Sequence, residues 1–166
     1  MRAVNGAVHL LNPLDAPACL LGVAQPAYSA LHRDAAALLG HRDLSVIGSS
    51  RDVAEWIPFR SATVHRLVGG TPLDMRLPAL AEPRPPRKAG LSSLEYWRAV
   101  WLGTAHDPRA ERIVTATAAL ALMTAQGGKE EEFALWQRKA EALWNGRPGQ
   151  RAMAGSRRGS LRPGNA

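Results

Sequence analysis

The sequence predicts an α/β fold: the C-terminal part of a mostly parallel sheet with an edge hairpin, followed by packed helices. Three observations predict it. Cys19 to Val23 and Leu44 to Ser50 are short apolar runs on either side of a helix-period stretch, the strand–helix–strand order of a parallel unit. Thr63 to Val68 and Leu73 to Leu77 flank Gly69-Gly70, which is the signal of a tight hairpin. From Leu91 onward, apolar residues recur at helical spacing.

Each element has a local reason. Cys19 to Val23 is too short for a helix and carries Gly22, so it suits a buried strand. Pro26 fits a first helical turn, where its missing N–H costs nothing. Tyr28, Leu31, Ala35 and Leu38 then form an apolar stripe, and Gly40 can end the helix in the left-handed region. Residues 81–90 are a Pro-rich, charged connector without periodicity. Ser92 or Ser93 caps a helix carrying Tyr96, Trp97, Val100 and Trp101. Asp107-Pro108 opens the next helix, with Ile113, Thr117, Leu120 and Thr124 on one face and Gly127-Gly128 as its stop. Glu130, Glu131 and Glu132 favour the positive end of a last helix, whose stripe is Phe133, Trp136, Ala140 and Leu143. The chain thus divides into a partial sheet region (1–80), the connector (81–90), a helical region packing on the sheet (91–145) and a basic tail expected to be disordered (146–166).

Composition narrows the function. With 46% hydrophobic and 21% charged residues, the chain can build a core, which excludes a wholly disordered protein. A net charge of +7 invites nucleic acid, yet Arg147, Arg151, Arg157, Arg158 and Arg162 in the acid-free tail account for five of it. Those arginines are the nucleic-acid candidates, as a nonspecific phosphate-binding segment or merely a solvated one. The single cysteine, Cys19, cannot form an internal disulfide, which fits a reducing cytoplasm. Its place on an apolar strand suits a small buried side chain rather than a nucleophile. No apolar run approaches the ~20 residues of a membrane span, so no membrane partner is expected.

The order of elements, with particular residues, resembles the C-terminal half of anthranilate phosphoribosyltransferase-like proteins. These belong to a glycosyltransferase family that also includes pyrimidine nucleoside phosphorylases. Asn5, Leu10 and Asn12-Pro13 match a family segment of the form R-T-x-F-N-x-L-G-P-L-x-N-P-A, Gly22-Val23 its next strand, and Val46-Ile47-Gly48 the strand end after that. "RIVTATAALALMTAQGG" is similar to a late alanine-rich helix of the family. The resemblance spans roughly residues 2–145 and implies that a helical domain and earlier strands precede this part in such proteins, so that the chain is a fragment or starts late.

It further implies displacement of pyrophosphate from phosphoribosyl pyrophosphate by an aromatic or base acceptor, with Mg²⁺ as cofactor and a homodimer as the full-length form. Asn5, His9 and Asn12 become acceptor-pocket candidates. The family's Asp-Glu pair for Mg²⁺ falls on Ala54 and Glu55, with Asp52 as the nearest substitute; the plainer reading is that Asp52 and Glu55 are solvated loop acids. The acceptor-side Arg of the family falls on Met1, one residue from Arg2, which argues against anthranilate itself. The sequence contains no Gly-rich pyrophosphate loop. The expectation is therefore a transferase domain without catalytic residues of its own and inactive alone. The alternative is a nucleic-acid-binding protein of the same group.

Overall fold

The computed structural model describes residues 8, 10–49, 53–84 and 92–147. In chain order these form β1 (Ala18–Val23), a 3-10 turn (Pro26–Tyr28) running straight into α1 (Ser29–Leu38), β2 (Asp43–Gly48), β3 (Ala62–Val68) and β4 (Thr71–Leu77). Then follow α2 (Ser93–Leu102), α3 (Pro108–Ala125), a second 3-10 turn (Glu130–Glu132) and α4 (Phe133–Asn145).

The four strands make one sheet in the order β1-β2-β3-β4. β1 and β2 are parallel, with Cys19 opposite Leu44 and Val23 opposite Gly48. β3 is antiparallel to both neighbours. The α/β class, the edge hairpin and the trailing helices are as the sequence predicts. The description "mostly parallel" is corrected: among the described strands one pair of three is parallel. The cause is the connection after β2. A parallel neighbour needs a crossover, usually a helix, whereas residues 53–61 hold none and bring the chain back antiparallel.

Alternation along the strands serves two faces. Val23, Leu44, Val46 and Leu67 pack with Leu10 and Ala36 on the α1 side. Ile47, Val64, Met75 and Leu77 pack with Ala116, Leu120 and Met123 of α3, and with Trp56, on the other. α4 lies on α3, so it reaches the sheet mainly through Phe133 and Trp136. Gly69 and Gly70 both take positive φ, 58° and 85°, as the tight turn between β3 and β4 requires.

The stripe expected on α1 is not the buried one. Leu31 and Leu38 are exposed, and the buried residues of the helix are Ser29 and Ala36. Small side chains let the helix sit close on the sheet, and the larger apolar residues are left outside. α2 shows a similar shift: Tyr96 and Val100 are buried while Trp97 and Trp101 stay about half exposed.

One polar network runs through the core, although Arg66 Nη2 and the indole N–H groups of Trp56, Trp136 and Trp144 are buried without a partner. The fully buried Arg66 donates from Nη1 to the Gly128 carbonyl at 2.7 Å and from Nε to Ser45 Oγ at 3.2 Å. Ser45 bonds Thr124 Oγ1 at 2.6 Å, which in turn donates to the Leu120 carbonyl at 2.7 Å. Burial holds the Arg66 guanidinium below its ordinary pKa, with Asp43 pulling the other way. Ser92 and Glu95 close a capping box at the start of α2, and the bonds from Ser92 hold the Glu95 carboxyl below its usual value. Asp107 caps α3 and accepts the Tyr96 hydroxyl at 2.6 Å. No helix among the described residues is long and apolar enough to cross a membrane.

Candidate functional site

The parallel pair ends in a cleft. β1 and β2 both point their carboxyl ends at it, the place where open α/β sheets receive ligands. Its volume is about 820 Å³. One wall is the start of α1, with Pro26 and Ser29; another is the end of β2, Gly48 and Ser49; the floor is the beginning of β3. The segment 55–63 closes the side, and Arg109 from the first turn of α3 reaches the rim.

Two glycines shape this geometry. A side chain at Gly22 would stand 1.8 Å from the Val53 carbonyl, so the loop after β2 folds directly over β1. One at Gly48 would stand 2.8 Å from the ring of Pro26, so the start of α1 lies against the end of β2. Gly22 is thus a close-approach position.

The chemistry of the walls is mixed. Arg109 donates from Nε to Glu82 at 2.7 Å and lies over the Phe59 ring. Trp56 is buried, and its backbone N–H donates to Thr117 Oγ1 at 3.1 Å. His65 donates from Nδ1 to Asp74 at 2.9 Å, and Asp74 also accepts from Arg33 of α1. An imidazole whose Nδ1–H is held by a carboxylate presents Nε2 as an acceptor while neutral. Ser29 is 2% exposed, and its Oγ has no hydrogen-bond partner.

The sequence-derived candidates are scattered. Glu55 lines the cleft. Asn12 does not: its side chain closes a local turn, donating to the Ala16 carbonyl at 2.8 Å and accepting from the Ala16 N–H at 2.9 Å. That turn precedes β1, at the end of the strand away from the cleft, so the structure does not bring Asn12 to Glu55. Asn5, His9 and Asp52 lie outside the described residues, as do Arg151, Arg157, Arg158 and Arg162. Arg147, the described member of the tail set, is buried and donates to the carbonyls of Val100, Trp101 and Trp144. It closes the end of α2 and is not a free surface cation.

Magnesium requires several oxygen ligands in octahedral array. Among the described residues no three His, Cys, Asp or Glu side chains group as metal ligands, and Glu82 is committed to Arg109. Glu55 is the described member of the Asp52–Glu55 pair and by itself supplies too few ligands for the ion. Cys19 is half-buried on β1, and burial pushes its thiol pKa up, which suits a packing residue.

Sequence reasoning missed Ser29, His65 and Arg109. The signal for His65 was present: a two-residue Gly-Gly turn places Val68 opposite Thr71 and therefore His65 opposite Asp74. Ser29 had no such signal, because a serine at a helix start is ordinarily a solvated cap. No protein-family model matches the chain, and no curated protein matches it.

Proposed function

We propose that the chain is a phosphoribosyltransferase-like glycosyltransferase domain, working in the cytoplasm and inactive by itself, because its sequence lacks a Gly-rich pyrophosphate loop. The observation that carries this reading is the parallel β1–α1–β2 unit opening at its carboxyl ends onto the cleft. The order of elements behind it supports the same family: hairpin, capped helix, alanine-rich helix, last helix.

In such a transfer the acceptor nitrogen attacks the anomeric carbon, the bond to the diphosphate oxygen breaks, and the nitrogen loses a proton. His65 suits that proton. Asp74 fixes the ring through Nδ1 and leaves Nε2 to accept. Trp56 and Phe59 offer apolar wall to a flat aromatic or base acceptor.

The test uses the Trp56 indole ¹⁵N resonance, assigned with Trp56→Phe. Uracil and aniline are expected to shift it saturably. Phosphoribosyl pyrophosphate with Mg²⁺ and either acceptor is expected to release no pyrophosphate. A silent Trp56 sinks the transferase reading; turnover by this chain alone sinks the claim of inactivity.

A further inference from the structure

The start of α1 lines the cleft through Pro26 and Ser29. No side chain caps it, and no acidic residue stands in its first turn. The preceding 3-10 turn continues into the helix, since Ser29 N–H donates to the Pro26 carbonyl. The Tyr28 N–H is likewise taken up by the Gln25 carbonyl at 2.9 Å, and among the described residues no carboxylate caps the positive end of the helix dipole. At the same point Ser29 is 2% exposed and lines the cleft, and its Oγ is buried without a hydrogen-bond partner. An orphan hydroxyl in a native core is destabilising and calls for an explanation. The two features coincide in one wall of an 820 Å³ cleft at the carboxyl ends of parallel strands.

We propose that this wall is an oxyanion subsite, in which the start of α1 and the Ser29 hydroxyl hold the phosphate of a phosphorylated small molecule without a metal ion. The hydroxyl supplies one directed hydrogen bond and the helix end the favourable field. Arg60 on the segment beside β3 adds a positive charge to the same cleft, while Arg109 is neutralised by Glu82. Glu55 lines the same cleft with the opposite charge. Identifying the ligand as a sugar phosphate rests on the transferase reading; the subsite itself does not.

The experiment is a ¹H–¹⁵N titration of the whole chain in Mg²⁺-free buffer with inorganic phosphate, then ribose 5-phosphate, against sodium chloride at matched ionic strength. Both phosphates are expected to shift the Ala27, Tyr28 and Ser29 amides saturably, with chloride giving no such shift. Ser29→Ala is expected to weaken phosphate binding about tenfold. A rise in melting temperature with phosphate, reduced in the variant, is the second readout and needs no assignment. Shifts confined to other residues, or binding unchanged by Ser29→Ala, overturn the subsite. Phosphate binding with a silent Trp56 keeps the subsite and discards the transferase; the reverse pattern keeps the transferase and discards the subsite. Ribose 5-phosphate binding no better than inorganic phosphate overturns the assignment to a sugar phosphate.

Discussion

Tyr96 shows how one side chain ties two helices to pH. Its hydroxyl donates to Asp107 at 2.6 Å in a buried setting, and Asp107 caps α3 with the same carboxylate. Burial first, then the bond to Asp107 and its charge, raise the Tyr96 pKa from 10.0 to about 12. The protonated phenol is thus favoured by the fold. Its contribution is whole below pH 10.0 and is lost as pH rises toward about 12, because the unfolded chain ionises first. Urea melts at rising pH are expected to show that decline in the native chain and a smaller one in Tyr96→Phe. Arg147 works at the same scale without a titration in reach. Burial lowers its pKa, Glu111 opposes that, and the guanidinium lies 3.7 Å over the Trp144 ring while binding three carbonyls. An arginine next to Gly, Pro and Gln looks like the first residue of a tail, and nothing local in the sequence shows that α2 ends within its reach.

Elements were legible where the backbone itself sets the rule. Gly69-Gly70, Ser92 with Glu95, and Asp107-Pro108 mark turn and caps through conformations or hydrogen bonds that need those residue types. The buried face of α1 was not legible. Leucine spacing pointed to Leu31 and Leu38, but how close a helix lies to its sheet is a tertiary fact, and here Ser29 and Ala36 decide it. The cleft was only half legible for the same reason: Glu55 follows from position after a strand, whereas Ser29 and Arg109 arrive from elements distant in the chain. Gly22 links element to site. Gly22→Ala would drive a methyl into the Val53 carbonyl, so the loop over β1 must lift. We expect a loss of about 1–3 kcal/mol in urea unfolding, with the Trp56 resonance displaced before any ligand is added. Unchanged stability and an unmoved Trp56 would show that the loop does not rest on β1.

The whole molecule is held by two apolar clusters that share strands. Val46 belongs to the α1 side and Ile47 to the α3 side, one residue apart on β2. Neither face can open without disturbing the backbone of the other. Leu67→Ala and Leu120→Ala, both at fully buried positions on opposite faces, are each expected to cost about 3 kcal/mol. In each variant, far-ultraviolet dichroism and tryptophan fluorescence should report one coincident transition. Separate transitions would mean that the two faces melt independently.

Strand order also equals chain order, and this bears on how the molecule is made. Each strand joins the edge that its predecessor has just formed, and none must be threaded between two already in place. Loops closed in that sequence are short, so little chain entropy is lost before contacts repay it. α3 is the exception, reaching back across the chain to β1 and β2. A nascent polypeptide can therefore assemble the sheet as it leaves the ribosome, while the α3 face stays open until α2 and α3 have been synthesised.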